Sequence, residues 1–350
     1  MSAQTPASEA AIPIKQVIAQ LIDGADLDDG TMTGAMNAIM TGQASDAQVA
    51  GLLIALRLKG ETVTEIAAAA RVMRSLASGV DLGTLPHTVD IVGTGGDASG
   101  TFNVSTTSIF VAAAAGCNVA KHGNRSVSSK SGAADVLEAA GLRLDLSPAQ
   151  VAHCVREVGV GFMFAPAHHG AMKHAIRPRR DLGVRTIFNV LGPLTNPAGV
   201  KQQVLGVFSE HLLVPLAETL QRLGSEHVLV VHAHDGLDEI SIAARTEVAE
   251  LRDGAVTRYS VGPEDFGLAR SALDSIRVDG PAQSLALLES VLADRASAAR
   301  DIVVLNAGAA IYAAGVATSL AEGVGTADQM IASGEARRRF EALVALSKSL

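Results

Sequence analysis

The run Thr88-Val89-Asp90-Ile91-Val92-Gly93-Thr94-Gly95-Gly96-Asp97 decides the fold. Thr88 to Val92 is a short β-branched stretch, and glycines follow it at once, as where a strand enters a tight turn. The next helix, roughly Ser105 to Ala115, is apolar nearly all round and so belongs inside a core. Short strand candidates recur at Asn118–Lys121, Gly159–Phe164, Val204–Phe208, Val228–Val231 and Ile302–Leu305. Helical stretches separate many of them, such as Pro148–Val158 behind the start signal Ser147-Pro148-Ala149-Gln150. Strands alternating with helices predict an α/β domain with a mostly parallel central sheet flanked by helices.

Ahead of Pro86 the texture is different. Ile14, Val17, Ile18, Leu21 and Ile22 recur at helical spacing, as do Met32, Ala35, Met36, Ile39 and Met40, and then Val49, Leu52, Leu53 and Leu56. Thr62-Val63-Thr64-Glu65 has the form of a capping box before Ile66 to Leu76. Gly24, Gly30, Gly42, Gly60 and Gly79 lie at or near the breaks. A small all-helical domain therefore precedes the larger α/β domain.

Composition narrows the function classes. The chain has 350 residues, 48% of them hydrophobic and 18% charged, which excludes a disordered chain. With aromatics at 3% and no Trp, the core must be built from Ala, Val, Leu and Ile. Two cysteines, Cys117 and Cys154, are too few for a disulfide framework or a four-thiolate zinc site. Met1 to Ala10 has neither the basic start nor the apolar run of a signal peptide. The strongest apolar run, Ile109–Ala115, is far shorter than the ~20 residues that cross a bilayer. The expectation is a cytoplasmic protein with no membrane association. A net charge of −8 argues against broad nucleic-acid binding, yet Lys121 to Arg185 holds ten Lys/Arg against five Asp/Glu. An acidic protein with one basic, Gly-rich middle is suited to holding a small anion.

Four segments carry chemistry. Gly93–Asp97, continuing through Gly100-Thr101-Phe102-Asn103-Val104-Ser105-Thr106, lets backbone N–H groups approach phosphate oxygens with no Cβ in the way. A helix starting near Ser105 would aim its positive end at the same anion. The segment lacks the Gly-Lys-Ser/Thr of a Walker loop and the third Gly of a dinucleotide fingerprint, and by itself it is equally compatible with a plain turn. Lys121-His122-Gly123-Asn124-Arg125-Ser126-Val127-Ser128-Ser129-Lys130-Ser131-Gly132 packs three cations, four serines and two glycines into twelve residues, a dense set of oxyanion donors. Arg177 to Thr186 is Arg-rich, and one of its guanidiniums could grip a carboxylate with a bidentate fork, though most of the cluster reads as structural. His234-Asp235-Gly236-Leu237-Asp238-Glu239 places adjacent carboxylates after a strand, where open α/β sheets bind ligands and where hard oxygen donors suit Mg²⁺; an acidic surface loop is the alternative. His168 and His169 are neighbours that would not share a helix face, which favours hydrogen bonding over a metal pair. No Gly-x-Ser-x-Gly elbow or nucleophilic Cys setting is present, so chemistry without a covalent protein nucleophile is expected.

Taken together these segments resemble the anthranilate phosphoribosyltransferases of the tryptophan pathway. The match runs in order through Gly93–Asp97, Asn103–Thr106, Lys121–Ser131, Phe164–His169, Met172-Lys173-His174, Arg179–Asn189, Leu191–Pro197, Gly236–Glu239 and Asn306-Ala307-Gly308. The resemblance implies the nucleoside-phosphorylase class II type of fold, a homodimer, and transfer of phosphoribose from phosphoribosyl pyrophosphate to the amine of anthranilate with Mg²⁺, two ions per site. It implies a helical domain over 1–82 completed by helices within 165–200, and an α/β domain over 83–164 and 201–350. Carried over by position, phosphoribosyl pyrophosphate contacts fall on Gly93, Gly96, Asp97, Thr101, Asn103, Val104, Ser105, Thr106, Lys121, His122, Gly123, Asn124, Arg125, Ser126, Val127, Ser128, Ser129 and Ala133. Many relatives have Ser at that last position. Anthranilate contacts fall on Gly93, Asn124 and Arg179, and metal contacts on Ser105, Asp238 and Glu239. Arg177-Pro178 departs from the Pro-Val that precedes the key Arg in the family, but Arg179 keeps its spacing to Gly183.

In this scheme Mg²⁺, Lys121, Arg125 and the loop N–H groups stabilise the departing pyrophosphate, and His122 is a candidate for proton handling. Two other readings share parts of the pattern. One is a pyrimidine nucleoside phosphorylase, which the Lys121–Ser131 segment and the Asp238-Glu239 pair oppose. The other is a nucleic-acid-binding paralogue, which the net charge and the lack of Trp oppose.

Overall fold

The computed structural model describes residues 13–97, 99–126 and 130–350. In chain order the helices are α1 (Ile14–Ile22), α2 (Asp29–Met40), α3 (Asp46–Lys59), α4 (Val63–Ser75), α5 (Val104–Ala114), α6 (Ala133–Ala139), α7 (Pro148–Val158), α8 (Ala165–His168), α9 (Lys173–Leu182), α10 (Phe188–Leu191), α11 (Leu213–Arg222), α12 (Pro281–Leu292), α13 (Ala298–Ala313), α14 (Leu320–Ala332) and α15 (Glu335–Ser349). The strands are β1 (Thr88–Gly93), β2 (Asn118–Gly123), β3 (Val160–Phe164), β4 (Gln202–Gly206), β5 (His227–Ala233), β6 (Thr246–Arg252) and β7 (Ala255–Val261). The described residues form two compact units, one reaching to Leu76 and including Gly170–Leu191, the other made of those within Ala77–His169 and Gly192–Leu350.

In the helical unit α1 packs on α3, α2 on α4, and α9 on α2 and α3. Val17, Leu21, Met32, Met36, Leu52, Leu53 and Ile66 are buried, as their helical spacing requires. The Thr62–Glu65 capping box is formed. Glu65 does more than cap: fully buried, it also accepts the Leu27 N–H at 2.9 Å and the Lys59 ammonium at 3.1 Å. A capping residue thereby becomes the tie between the α1–α2 connection and the α3–α4 turn.

The α/β unit is built on one seven-stranded sheet ordered β3-β2-β1-β4-β5-β6-β7. The first five strands in that order run parallel, while β6 and β7 run antiparallel at one edge. The chain winds outward from β1 through β2 to β3, then returns to the other side of β1 as β4. That reversal creates a topological switch point between β1 and β4. The buried helices α5 and α13 pack on each other and on the sheet, and α13 is covered along almost its whole length.

Two expectations need correction, and one element had no counterpart in the sequence reading. Ile302–Leu305 is part of α13 and not a strand: an apolar run buried on all sides looks the same in either state, and the Ser297 side chain caps the helix by accepting the Arg300 N–H. The β6–β7 hairpin was not anticipated, although Asp253-Gly254 is a two-residue turn with both residues at positive φ. The unit boundary falls after Leu76 and not after 82, because Val80 and Leu82 are in the α/β core and Val80 N–H donates to the Pro197 carbonyl. For the same reason the inserted helical segment is 170–191; residues 165–169 and 192–200 stay with the α/β unit, where Ser78 N–H donates to the His168 carbonyl. Among the described residues no helix is long and apolar enough to cross a membrane.

Candidate active site

The switch point is lined by two glycines. Gly93 ends β1, Gly206 ends β4, and the two are register partners. The turn after β5 lies across both. A Cβ on Gly206 would overlap the Asp238 carbonyl, and one on Gly93 would overlap the Asp238 carboxylate. Glycine is needed here for close approach. Asn306 of α13 holds the turn from behind, accepting the Ile240 N–H at 2.9 Å and donating to the Ile240 carbonyl at 2.9 Å.

Asp238 and Glu239 then face two different backbone donors. Asp238 Oδ2 accepts the Gly95 N–H at 2.8 Å, and Glu239 Oε1 accepts the Ser105 N–H at 3.1 Å in the first turn of α5. Both carboxyls are pushed up, Asp238 to about 7 and Glu239 to about 8. Burial is the main cause in each; next come the Asp97 carboxylate for Asp238 and the Asp238 carboxylate for Glu239. Asp97 also shares a side-chain hydrogen bond with Asp238. Lys121, at the end of β2, is 2% exposed; its Nζ donates to the Ile91 carbonyl at 2.6 Å and to Ser105 Oγ at 3.4 Å. Burial lowers its ammonium below the usual lysine range, against the pull of Asp90, Glu239 and Asp238.

Crowding with Asp97 and with each other resists the ionisation of Asp238 and Glu239, and a divalent cation would relieve that repulsion. The donors are hard oxygens, which fits Mg²⁺, and among the described residues no three acidic, His or Cys side chains form a ready-made metal cage. An open set of one or two carboxylates is how Mg²⁺ is usually held when substrate phosphates complete its shell.

The two loops are also stitched to each other. Asn103 Oδ1 accepts both the Ser131 hydroxyl and the Ser284 hydroxyl at 2.7 Å, and its Nδ2 donates to the Ser131 carbonyl at 3.0 Å. Through these bonds Asn103 ties the Gly93 loop to the Lys121 segment. Val104 and Thr106 are buried in the first turn of α5, and Thr106 Oγ1 has no hydrogen-bond partner. Gly96 takes a left-handed φ of 79°, and Thr101 bridges to Arg277 through its backbone. Gly123 is confined by the Phe162 ring and by Ala133, the first residue of α6.

Arg125 does not present a free guanidinium to a departing anion, as the sequence suggested. It pairs with Asp135 at 3.0 Å and Glu138 at 2.6 Å, which lie three apart on α6, and it sits over the Phe164 ring. Asp135, which the sequence reading passed over, also accepts the Ser126 and Gly132 N–H groups at 3.0 and 2.9 Å. Asn124 accepts the Arg125 N–H on its Oδ1 and the Ala134 N–H on its carbonyl. Val127, Ser128 and Ser129 lie outside the described residues. His122 is buried and its imidazole is pushed down to about 3, chiefly by burial; its Nε2 has no partner, and the His169 ring lies 5.1 Å away. His168 bonds the Ser78 carbonyl through Nδ1 at 2.8 Å, the hydrogen-bonding role expected of it.

Within the helical unit, Arg179 lies half-buried near the end of α9, its guanidinium over the Phe188 ring at 5.0 Å. It has no acidic partner among the described residues, and burial lowers its pKa.

Comparison with known proteins supplies the wider context. Residues 85–337 match the glycosyl transferase family a/b domain, and residues 15–77 match the helical bundle domain of the same family. An anthranilate phosphoribosyltransferase of Thioalkalivibrio sulfidiphilus is 60% identical over 336 residues, covering 96% of this chain and 99% of that protein. One from Hahella chejuensis is 59% identical over 338 residues, 95% of this chain and 97% of its own. Among solved structures, the anthranilate phosphoribosyltransferase of Thermus thermophilus superposes with a TM-score of 0.89 at 45% identity, over 95% of this chain and 99% of that one. That of Saccharomyces cerevisiae in complex with phosphoribosyl pyrophosphate and Mg superposes at 0.88 and 28% identity, over 96% of this chain and 98% of that one.

Proposed function

Since the chain belongs to the glycosyl transferase family as an anthranilate phosphoribosyltransferase, we propose how its residues divide the work of that reaction. The enzyme transfers the 5-phosphoribosyl group from phosphoribosyl pyrophosphate to the amine of anthranilate, releasing pyrophosphate, in tryptophan biosynthesis. Breaking the bond at C1 builds positive charge on the ribose and negative charge on the leaving diphosphate, so the protein must receive an anion at one end and present an amine at the other.

The observation that carries our assignment is the Asp238-Glu239 turn seated on Gly93 and Gly206, with Lys121 and the α5 N-terminus around it. The diphosphate end of the donor belongs there. The N–H groups of Gly93–Asp97 and the positive end of α5 supply fixed donors. The contacts named above from Gly93 to Thr106, and from Lys121 to Ala133, make up the donor site in this reading. Bound Mg²⁺, two ions with Asp238, Glu239 and Ser105 as their protein donors, would supply charge neutralisation for the leaving diphosphate. Arg179 is the receptor for the anthranilate carboxylate: a half-buried guanidinium without a carboxylate of its own has its donors free for an external one. The family resemblance assigns Gly93 and Asn124 to anthranilate as well. As the new C–N bond forms the amine loses a proton, and the unpartnered His122 Nε2 can take it, although an imidazole lowered to about 3 is a weak base.

We assign the working form as a homodimer in the cytoplasm, where both small polar substrates are dissolved. The helical unit exposes Ile22 (73%) on α1, Leu58 (82%) on α3 and Ile176 (55%) on α9, apolar side chains whose burial against a second copy would be favourable. Sedimentation equilibrium is expected to give the mass of two chains, falling to one in Ile22→Glu/Leu58→Glu; a monomeric parent contradicts the dimer. The function itself is tested by anthranilate fluorescence. Loss of signal that needs both phosphoribosyl pyrophosphate and Mg²⁺ supports it, and phosphate-dependent cleavage of thymidine in its place would contradict it.

A further inference from the structure

Asn103 stands at the N-cap of α5, where an Asn side chain ordinarily folds back to accept an N–H of the first helical turn. Here it makes no such bond. Its Oδ1 is taken instead by the Ser131 and Ser284 hydroxyls, each at 2.7 Å. The Ser105 N–H, one of the two that such a cap would take, donates to Glu239 at 3.1 Å.

Ser284 is the fourth residue of α12 and is fully buried. Its Oγ accepts the Asn103 backbone N–H at 3.1 Å, while its own proton goes to Asn103 Oδ1. One hydroxyl therefore grips both the backbone and the side chain of a single residue. A serine hydroxyl has only one proton to give, so the carboxamide oxygen is set toward Ser284 and Nδ2 is turned to the Ser131 carbonyl, 3.0 Å away. The approach to α12 is pinned as well. The Phe102 N–H donates to the Ile276 carbonyl at 2.8 Å, and the Val278 N–H donates to the Gly100 carbonyl at 2.9 Å. The chain entering α12 is thus laced to the end of the Gly93 loop before Ser284 reaches Asn103.

We propose that Ser284 is a positioning residue for phosphoribosyl transfer: with Ser131 it draws the Asn103 carboxamide off the N-terminus of α5 and leaves that helix end open to the diphosphate end of the donor. This rests on the site assignment above. Without the Ser284 hydroxyl the carboxamide loses one of its two donors and swings back to cap α5, where it competes with the diphosphate for the same N–H groups.

The test is Ser284→Ala, compared with the parent for kcat, for both KM values and for product inhibition by pyrophosphate. The substitution suits its place, since alanine is the better helix former. The KM for phosphoribosyl pyrophosphate and the inhibition constant of pyrophosphate are expected to rise together by about five- to tenfold, with kcat and the KM for anthranilate within about twofold. An unchanged donor KM, a donor KM that rises without the pyrophosphate constant, or both KM values rising together as in a loosened structure, would overturn the proposal. If Ser284→Ala does not fold, Ser284→Cys decides the matter: the thiol fills the place of the hydroxyl but is a weak donor and acceptor, and a rise of about threefold in the same two quantities is expected. Parent-like kinetics in that variant would overturn the proposal. The site assignment fails separately, if Asp238→Ala/Glu239→Ala keeps a normal Mg²⁺ response.

Discussion

Asp238→Ala together with Glu239→Ala is expected to cut kcat by about a thousandfold or more and to leave the residual rate nearly indifferent to Mg²⁺. In the proposed site the two carboxylates are the hard-oxygen donors beside the Gly93 loop, so their loss would remove the protein's hold on the metal while the amide donors remain. Unfolding would not explain such a loss. Burial and mutual repulsion press both carboxyls toward their neutral forms, so removing them relieves electrostatic strain in the metal-free protein. Against that relief stand the Gly95 and Ser105 N–H groups, which lose their acceptors at a cost of about 1–3 kcal/mol each. These effects oppose one another, and a thermal midpoint within about 5 °C of the parent is expected. A double variant with the parent's Mg²⁺ response would remove Asp238 and Glu239 from the metal role.

Arg179→Ala is expected to raise the KM for anthranilate by about ten- to a hundredfold while moving the KM for phosphoribosyl pyrophosphate by no more than about twofold. The size follows from losing a charge-assisted, two-pronged hydrogen bond, and the selectivity follows from where the charges lie. Anthranilate carries one carboxylate, whereas the donor's charge is spread over its phosphates, which the proposed site meets with the Gly93 loop, Lys121 and the metal. Arg179→Lys should recover only part of the loss, because an ammonium cannot offer the planar fork or stack on Phe188 as the guanidinium does. Equal rises in both KM values would show that Arg179 supports the protein generally and does not receive the acceptor.

The fold was legible where local pattern and tertiary fate coincide. Thr88–Val92 followed by glycines marked β1, Ser147–Gln150 marked the start of α7, and Thr62–Glu65 marked α4, because strand runs and caps are written in adjacent residues. Ile302–Leu305 misled because full burial erases the periodicity that separates helix from strand. The glycine loop and the acidic doublet were visible as chemistry, but not what binds them together. Gly206 is an unremarked strand residue until Asp238 is placed on it, and Asn306, Asp135 and Ser284 act across 66, 9 and 181 positions of chain. Arg125 shows the opposite limit: its charge is plain in the sequence, and only the arrangement of α6 shows that Asp135 and Glu138 already take it.

The central claim is that the turns at Gly93–Asp97 and Lys121–Gly132 and the Asp238-Glu239 pair form one receptor for a metal-bound diphosphate. Calorimetric titration of the enzyme with phosphoribosyl pyrophosphate, with and without Mg²⁺, addresses it directly. The expected result is saturable binding at one donor per chain that requires Mg²⁺ and disappears in Asp238→Ala/Glu239→Ala. Equal affinity without Mg²⁺, or undiminished binding to that variant, would contradict it.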